Sequence, residues 1–309
     1  MSSSFHYTGV IPILATPFHD DESLDLESLA RLIRFNVTAG VDAVTILGLL
    51  GESNRLTDPD RTQVIRTAIE AAGNLPVIVG TSHTGTSATI EHSRQALELG
   101  ATALMITASA QPTPGDKVVL DYFQRIAAKV SAPIVLQDHP AITGVHMSAD
   151  LILRLVREVP NIVSIKAESL PSPQKIAALR AGLAGGRSTT ILTGLGGLYG
   201  FFDLERGSDG FNTGFAFPEV LLAIVREFRA RNVEAAYRIF TRHLPLLVFE
   251  QQPGVAIRKE ILRRRGLLTS HRVRHPGGSI DAGTTEQLAR LLRLTFGDAD
   301  LTRPITITV

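Results

Sequence analysis

The chain has 309 residues, of which 44% are hydrophobic and 20% charged, the range of an ordinary globular protein with one large domain or two small ones. A net charge of +1 gives no electrostatic case for nucleic acid or a charged membrane surface. With no cysteine, disulfides, thiolate nucleophiles and cysteine metal sites are all excluded.

The start, "MSSSFHYTGV", has no basic end followed by an apolar run, and no stretch of about 18 apolar residues is free of charge. A cytoplasmic protein without a membrane span is the expectation. Short apolar runs then recur along the chain: "GVIPILATP" (9–17), "AVTIL" (43–47), "PVIVGTS" (76–82), "ALMIT" (103–107), "PIVLQD" (133–138), "IVSIKAE" (162–168), "TTILTG" (189–194) and "DGFNTGF" (209–215). Each is rich in Val, Ile, Leu or Thr and flanked by Gly, Pro or Asp, as buried strands are. Helical patterns lie between them. "LDLESLARLIRFNVTAG" has apolar residues at 26, 29, 32, 33 and 37 and ends at Gly40. "DPDRTQVIRTAIEAAG" starts from an acidic cap and ends at Gly73, and "MSADLILRLVREVP" opens at Ser148 and stops before Pro160.

Alternation of this kind implies a parallel sheet, and eight strands in roughly 215 residues suggest an α/β (β/α)8 TIM barrel. An open doubly wound sheet competes, but no G-x-G-x-x-G follows the first strand. After residue 218 the pattern is only helical, so residues 1–225 are expected to form the barrel and 226–309 a C-terminal helical extension and tail. The tail "LTRPITITV" alternates and is expected to pair with something, a neighbouring subunit for example. The basic stretch "RKEILRRRG" (258–266) is expected to form a solvated or interface helix face. The nine histidines include no H-E-x-x-H motif, so neither a catalytic metal nor a cofactor is expected.

The chemistry is expected at the strand ends. Lys166 closes the sixth strand and is one of only five lysines. Side chains alternate along a strand, so Ser164, Lys166 and Glu168 share a face. An amine among apolar groups is disfavoured as ammonium, and a neutral amine attacks a ketone to form a Schiff base, an electron sink. A lysine that snorkels or pairs with a carboxylate is the competing explanation. In "GLLGES" (48–53), after the second strand, the glycines allow backbone N–H groups to converge on an anion, unless the segment is a plain tight turn. "LQDHPAITG" (136–144) is a polar cluster with a proline turn, and Asn212 stands in an otherwise apolar strand, where a satisfied core amide is the plainer explanation.

"TPF" (16–18), "GLLGES", "LQDHPAITG" and "IVSIKAES", in this order and at this spacing, resemble the dihydrodipicolinate synthase / N-acetylneuraminate lyase family over about residues 8 to 265. The resemblance implies a barrel with a C-terminal helical extension, a lysine-dependent lyase or aldolase acting on pyruvate or another small 2-oxo acid, and a homo-oligomer, dimer or tetramer. It puts Lys166 on the Schiff-base lysine, and Gly48 with the backbone of Leu49 and Leu50 on the site for the keto-acid carboxylate.

The departures from the family pattern are specific. Gln137 stands where the family has its acid/base tyrosine, Leu49 and Leu50 replace two threonines, Ala110 aligns near a tyrosine contributed by a neighbouring subunit, and Ile142 replaces the arginine that binds the second substrate. An ordinary dihydrodipicolinate synthase is therefore not expected. Glutamine transfers no proton at neutral pH, so His139 and Glu168 become the candidate acid/base groups, with His83 a further histidine after the third strand. A Schiff-base lyase, aldolase or dehydratase with a substitute proton carrier is the first reading. A lysine-dependent decarboxylase or deaminase, or a silent barrel that binds a keto acid, are the alternatives.

Overall fold

The computed structural model describes residues 6–110, 115–252 and 254–308. Among them are eight strands: β1 (Gly9–Pro12), β2 (Val44–Ile46), β3 (Val77–Gly80), β4 (Ala103–Thr107), β5 (Ile134–Asp138), β6 (Ile162–Ala167), β7 (Thr190–Thr193) and β8 (Gly210–Thr213). All pair in parallel in the order β1-β8-β7-β6-β5-β4-β3-β2. A parallel bridge between Ile13 and Thr45, with the Leu14 amide donating to the Thr45 carbonyl at 2.8 Å, brings β1 against β2 and closes the barrel. The expected (β/α)8 architecture is what forms.

The strands read as unbroken apolar runs because both of their faces are covered. Register shows which side chains point inward, since paired residues of parallel neighbours share a face. Thr45, Ile78 and Ala103 make one inward row, and Gly80, Met105 and Val135 the next. Thr107, Gln137, Lys166 and Leu192 follow towards the strands' C-terminal ends. Ile11, Ile13, Ala43, Ile78, Ala103, Met105, Val135 and Leu192 form an apolar cluster of their own inside the barrel. The larger core lies outside it, between strands and helices. The barrel is thus filled from below, and Lys166 sits on top of the filling.

The helix Leu26–Ala39 is capped by Asp25, which accepts from the Ser28 amide at 2.9 Å, and ends where Gly40 turns left-handed at φ 80°. The helix Asp58–Ala72 does not start on an acidic cap: Thr57 caps it, and Asp60 answers by accepting from the Thr57 amide. A threonine one residue earlier satisfies the same orphan donors reciprocally. Among the described residues no helix is long and apolar enough to cross a membrane.

Helices Pro218–Arg229, Val233–Phe249, Val255–Arg264 and Ala282–Phe296 complete the chain. The expected boundary at 225/226 falls inside the first of these, and one apolar core runs across it, including Ile224, Phe240 and Ile257. The basic stretch 258–266 is solvated only in part: Arg263 is exposed, while three of its cations turn inward. Arg258 pairs with Glu250 at 3.1 Å, Lys259 with Glu52, and Arg265 with Glu219 at 2.5 Å, all buried. Glu52 and Glu219 come from elements distant in sequence, so the local pattern cannot show them. Arg265, fully buried between the rings of Phe35 and Phe217 (4.5 and 4.4 Å), also donates to the carbonyls of Ala216 and Leu301. The tail packs on its own chain, with the Ile305 amide donating to Glu219 at 3.2 Å and Ile307 buried.

Arg265→Met removes the one cation paired with Glu219 among the described residues and unties three carbonyls, those of Ala216, Leu301 and Arg303. Unfolding in urea is expected to show a loss of about 3–5 kcal/mol, the cost of an uncompensated buried charge. A loss under about 1 kcal/mol would show that Glu219 finds water instead.

Candidate active site

At the C-terminal ends of the strands three expected residues meet. Gln137 and Lys166 are register partners on β5 and β6, and Glu168 follows two residues after Lys166. Lys166 is 4% exposed and Glu168 6%. The Lys166 Nζ lies 3.2 Å from Glu168 Oε2, which also accepts from Gln137 Nε2 at 2.7 Å. The other carboxylate oxygen accepts from the Leu195 amide at 3.1 Å. Leu195 holds a left-handed backbone (φ 49°), unusual without glycine, just where its N–H meets Glu168. The adjacent Gly194 leaves no room for a side chain: a Cβ there would come within 2.1 Å of Glu168 Cγ.

The electrostatics follow from this packing. Burial pushes the Glu168 carboxyl up, but the charges of Lys166 and His139 and the hydrogen bonds from Gln137 and Leu195 outweigh it and leave the pKa below the ordinary 4.5. Glu168 is therefore an anion at neutral pH. His139, half-buried at the end of β5, is affected by Glu168, Lys166 and Asp138, and burial drives its pKa below 6.5. It is a neutral imidazole at pH 7, and its buried Nδ1 has no hydrogen-bond partner among the described residues. Strand parity holds at this point: Gln137 points to Glu168, while Asp138 points the other way to Lys175, 2.6 Å from its Nζ. Burial raises the Asp138 carboxyl although Lys175 and His139 pull it down.

The remaining residues lie around this centre or away from it. Gly48 sits over the inner apolar row, where a Cβ would touch Ile13 and Met105 at 3.1 Å. Leu49–Gly51 form a 3-10 turn in which the Gly51 and Glu52 amides bond back to Gly48 and Leu49. The amides of Leu49 and Leu50 head that turn, the positions a helical turn does not itself satisfy. Leu49 is 41% exposed, and Leu50 packs on Gly214. Asn212 is fully buried on β8 and donates to the Ile11 carbonyl (2.9 Å) and the Thr45 hydroxyl (3.0 Å), tying β8, β1 and β2 together at the barrel's seam. Ile142 is 60% exposed. His83 is exposed and accepts from the Gly85 amide in its own loop. Ala110 is exposed, and the rest of that segment, 111–114, lies outside the described residues.

The sequence gives no direct sign of Leu195, Lys175 or Lys259. Lys259 is fully buried, with its ammonium against Glu52, 2.7 Å from the Arg272 carbonyl and 4.3 Å from the Phe18 ring. Burial lowers its pKa to about 8 against the pull of Glu52. It anchors the rim loop 48–53 from below. The scarcity of lysine is the one available signal: of the five, Lys117 and Lys129 are exposed and the other three are ion-paired.

Compared with known proteins, residues 6–295 match the profile of the dihydrodipicolinate synthetase family. The chain belongs to that family. It is 31% identical over 308 residues to an L-2-keto-3-deoxyarabonate dehydratase from Azospirillum brasilense, covering 94% of this chain and 96% of that one. Among solved structures, a dihydrodipicolinate synthase from Rhodopseudomonas palustris superposes with a TM-score of 0.89 at 35% identity, covering 93% and 97% of the two chains. A prophage protein of the same family from E. coli K12, solved in complex with pyruvate, superposes with a TM-score of 0.86 at 29% identity, covering 93% and 98%. These relatives place the chain among lyases and dehydratases.

Gly194→Ala tests whether Glu168 must stand where it does. The three atoms nearest a Cβ at Gly194 all belong to Glu168, so the clash falls on that side chain. A shift of about 1 Å in Glu168 is expected to lower turnover roughly 100-fold, with the fold judged intact by circular dichroism. Undiminished turnover would show that Glu168 has slack.

Proposed function

We propose that this chain is a dehydratase that acts on a small 2-oxo acid carrying a hydroxyl at C4, through a Schiff base on Lys166. The observation that carries the reading is the buried Lys166–Glu168 pair, 3.2 Å apart at the barrel mouth. The dehydratase activity of the Azospirillum relative, similar along nearly its whole length, supports it.

The Lys166 amine adds to C2, and loss of water gives an iminium. Glu168, beside that nitrogen, then faces the neighbouring C3. It takes a C3 proton, and the electron pair moves to the iminium nitrogen, giving a neutral enamine. This step removes the positive charge that holds the Glu168 pKa down, so the carboxylate becomes more basic as the proton arrives. The enamine pair then expels the C4 hydroxyl, which leaves as water with the proton that Glu168 carries, and hydrolysis frees a 2-oxo-3-enoic acid. In this account Gln137 holds Glu168 and moves no proton. The amides of Leu49 and Leu50 receive the substrate carboxylate, and the neutral His139 Nδ1 accepts from a substrate hydroxyl. Ile142 and the side chain of Leu49 give an apolar rim in place of the second-substrate arginine and the threonine hydroxyls. Cleavage between C3 and C4 would instead need the base to take the C4 hydroxyl proton rather than a C3 proton. The same proposal includes a homo-oligomer, dimer or tetramer.

With a 2-oxo-3-deoxy acid in deuterated water, NMR is expected to show exchange at C3 and loss of the C4 hydroxyl without release of pyruvate. Pyruvate and an aldehyde in equal amounts would mean carbon–carbon cleavage and overturn the dehydratase assignment.

Glu168→Gln is expected to lower kcat about 10²- to 10⁴-fold, the usual worth of a general base. The pH profile gives an independent check. A base with a depressed pKa stays ionised as pH falls through the ordinary glutamate value of 4.5, so the acid limb of kcat/KM is expected below it. An acid limb near 6 would point to a different base.

A further inference from the structure

Lys175, on the helix Ser172–Leu183, binds two points of the chain at once. Its Nζ is 2.6 Å from Asp138 Oδ2, at the last residue of β5, and donates at 2.6 Å to the Met147 carbonyl. The Asp138 side chain is fully enclosed and that of Lys175 is 14% exposed. The two anchors are the two ends of the loop 139–146, the segment that carries His139 and Ile142. Inside the loop the bonds are short-range: the Thr143 amide to His139, the Gly144 amide to Pro140, and the Val145 amide to the Thr143 hydroxyl. Met147 is buried, and Ser148 caps the next helix, so the second anchor is fixed in the core. The first anchor reaches the site directly, because the Asp138 carbonyl accepts from the Glu168 amide at 3.0 Å.

We infer that Lys175 is a positioning residue: a single ammonium clips both ends of the 139–146 loop and, through Asp138, sets Glu168 and His139 relative to Lys166. It touches no reacting atom in this account. The inference rests on Lys166 and Glu168 being the reacting pair, and on the clip being more than a buried ion pair that any packing group could replace. An apolar side chain would satisfy volume but not the Met147 carbonyl and the Asp138 carboxylate together. Two strong bonds from one cation close the loop with little freedom left at either end.

The test uses the full chain with Lys175→Met alone, Lys175→Arg, and the double variant Asp138→Asn/Lys175→Met, which avoids stranding a buried carboxylate and so keeps the fold available. Trapping of pyruvate on Lys166 by borohydride reads amine competence. Turnover of the 2-oxo-3-deoxy acid reads the proton transfers, and backbone hydrogen exchange at 139–147 reads the loop. In the double variant, pyruvate trapping is expected to persist while kcat falls by about 10- to 100-fold, the scale of misplaced catalytic groups. Exchange is expected to accelerate at 139–147 and to stay unchanged in β1–β4. Lys175→Arg, which keeps a cation with several donors, is expected to recover a large part of kcat. A folded double variant with wild-type kcat and unchanged exchange would overturn the inference. If wild-type protein traps no keto acid, the Schiff-base reading fails, yet the exchange experiment still decides whether Lys175 holds the loop.

Discussion

The constraint on which the rest depends is the removal of Lys166 and Glu168 from water together. Two opposite charges in a mostly apolar enclosure are stable only if their geometry is good and their remaining lone pairs and protons are occupied. Here Gln137 and the Leu195 amide occupy the carboxylate, Gly194 gives it room, and the Asp138 carbonyl fixes its main chain. The left-handed backbone of Leu195 is understandable as the conformation that aims its N–H at Glu168. Gln137 fits the same constraint: its amide donates to the carboxylate, and in the proposed mechanism the proton work falls to that carboxylate.

The rim around this pair is held from outside the barrel. The loop after β2 is anchored by Glu52, which receives Lys259, Arg55 and the Arg274 amide. The segment after β8 is anchored by Glu250, which accepts from the Ala216 amide and pairs with Arg258, and by Glu219 with Arg265. Burial raises Glu250 to about 7 even with Arg258 beside it, a sign of how little water reaches these anchors. The C-terminal helices therefore do more than cover the barrel: they supply cations that fix the loops at the strands' C-terminal ends. This also explains why the expected division at residue 225 has no counterpart in the core, where Ile224 and Phe240 belong to one packing unit.

Much of the fold was legible because both faces of each strand are covered, which writes a short apolar run into the sequence eight times. Lys166 was legible for the same reason, as a charge that breaks such a run, and Glu168 by its period-two spacing. What escaped depended on contacts between distant elements. The destination of Arg258, Lys259 and Arg265 was hidden because a basic helix looks alike whether it faces water or three buried glutamates. Leu195 acts through its backbone, which no residue type announces. Lys175 could be suspected only from parity, since Asp138 had to point away from the barrel and needed a cation. The tail's alternation suggested pairing with something, and the backbone groups of Leu301, Arg303 and Ile305 bond to Arg265 and Glu219 of the same chain.

The most direct measurement is borohydride reduction of the protein in the presence of a 2-oxo-3-deoxy acid, followed by intact mass and peptide mapping. The account predicts one adduct per chain on Lys166, with part of it lighter by one water, and none in Lys166→Ala. A folded protein that traps no keto acid, or traps one equally well without Lys166, would contradict it.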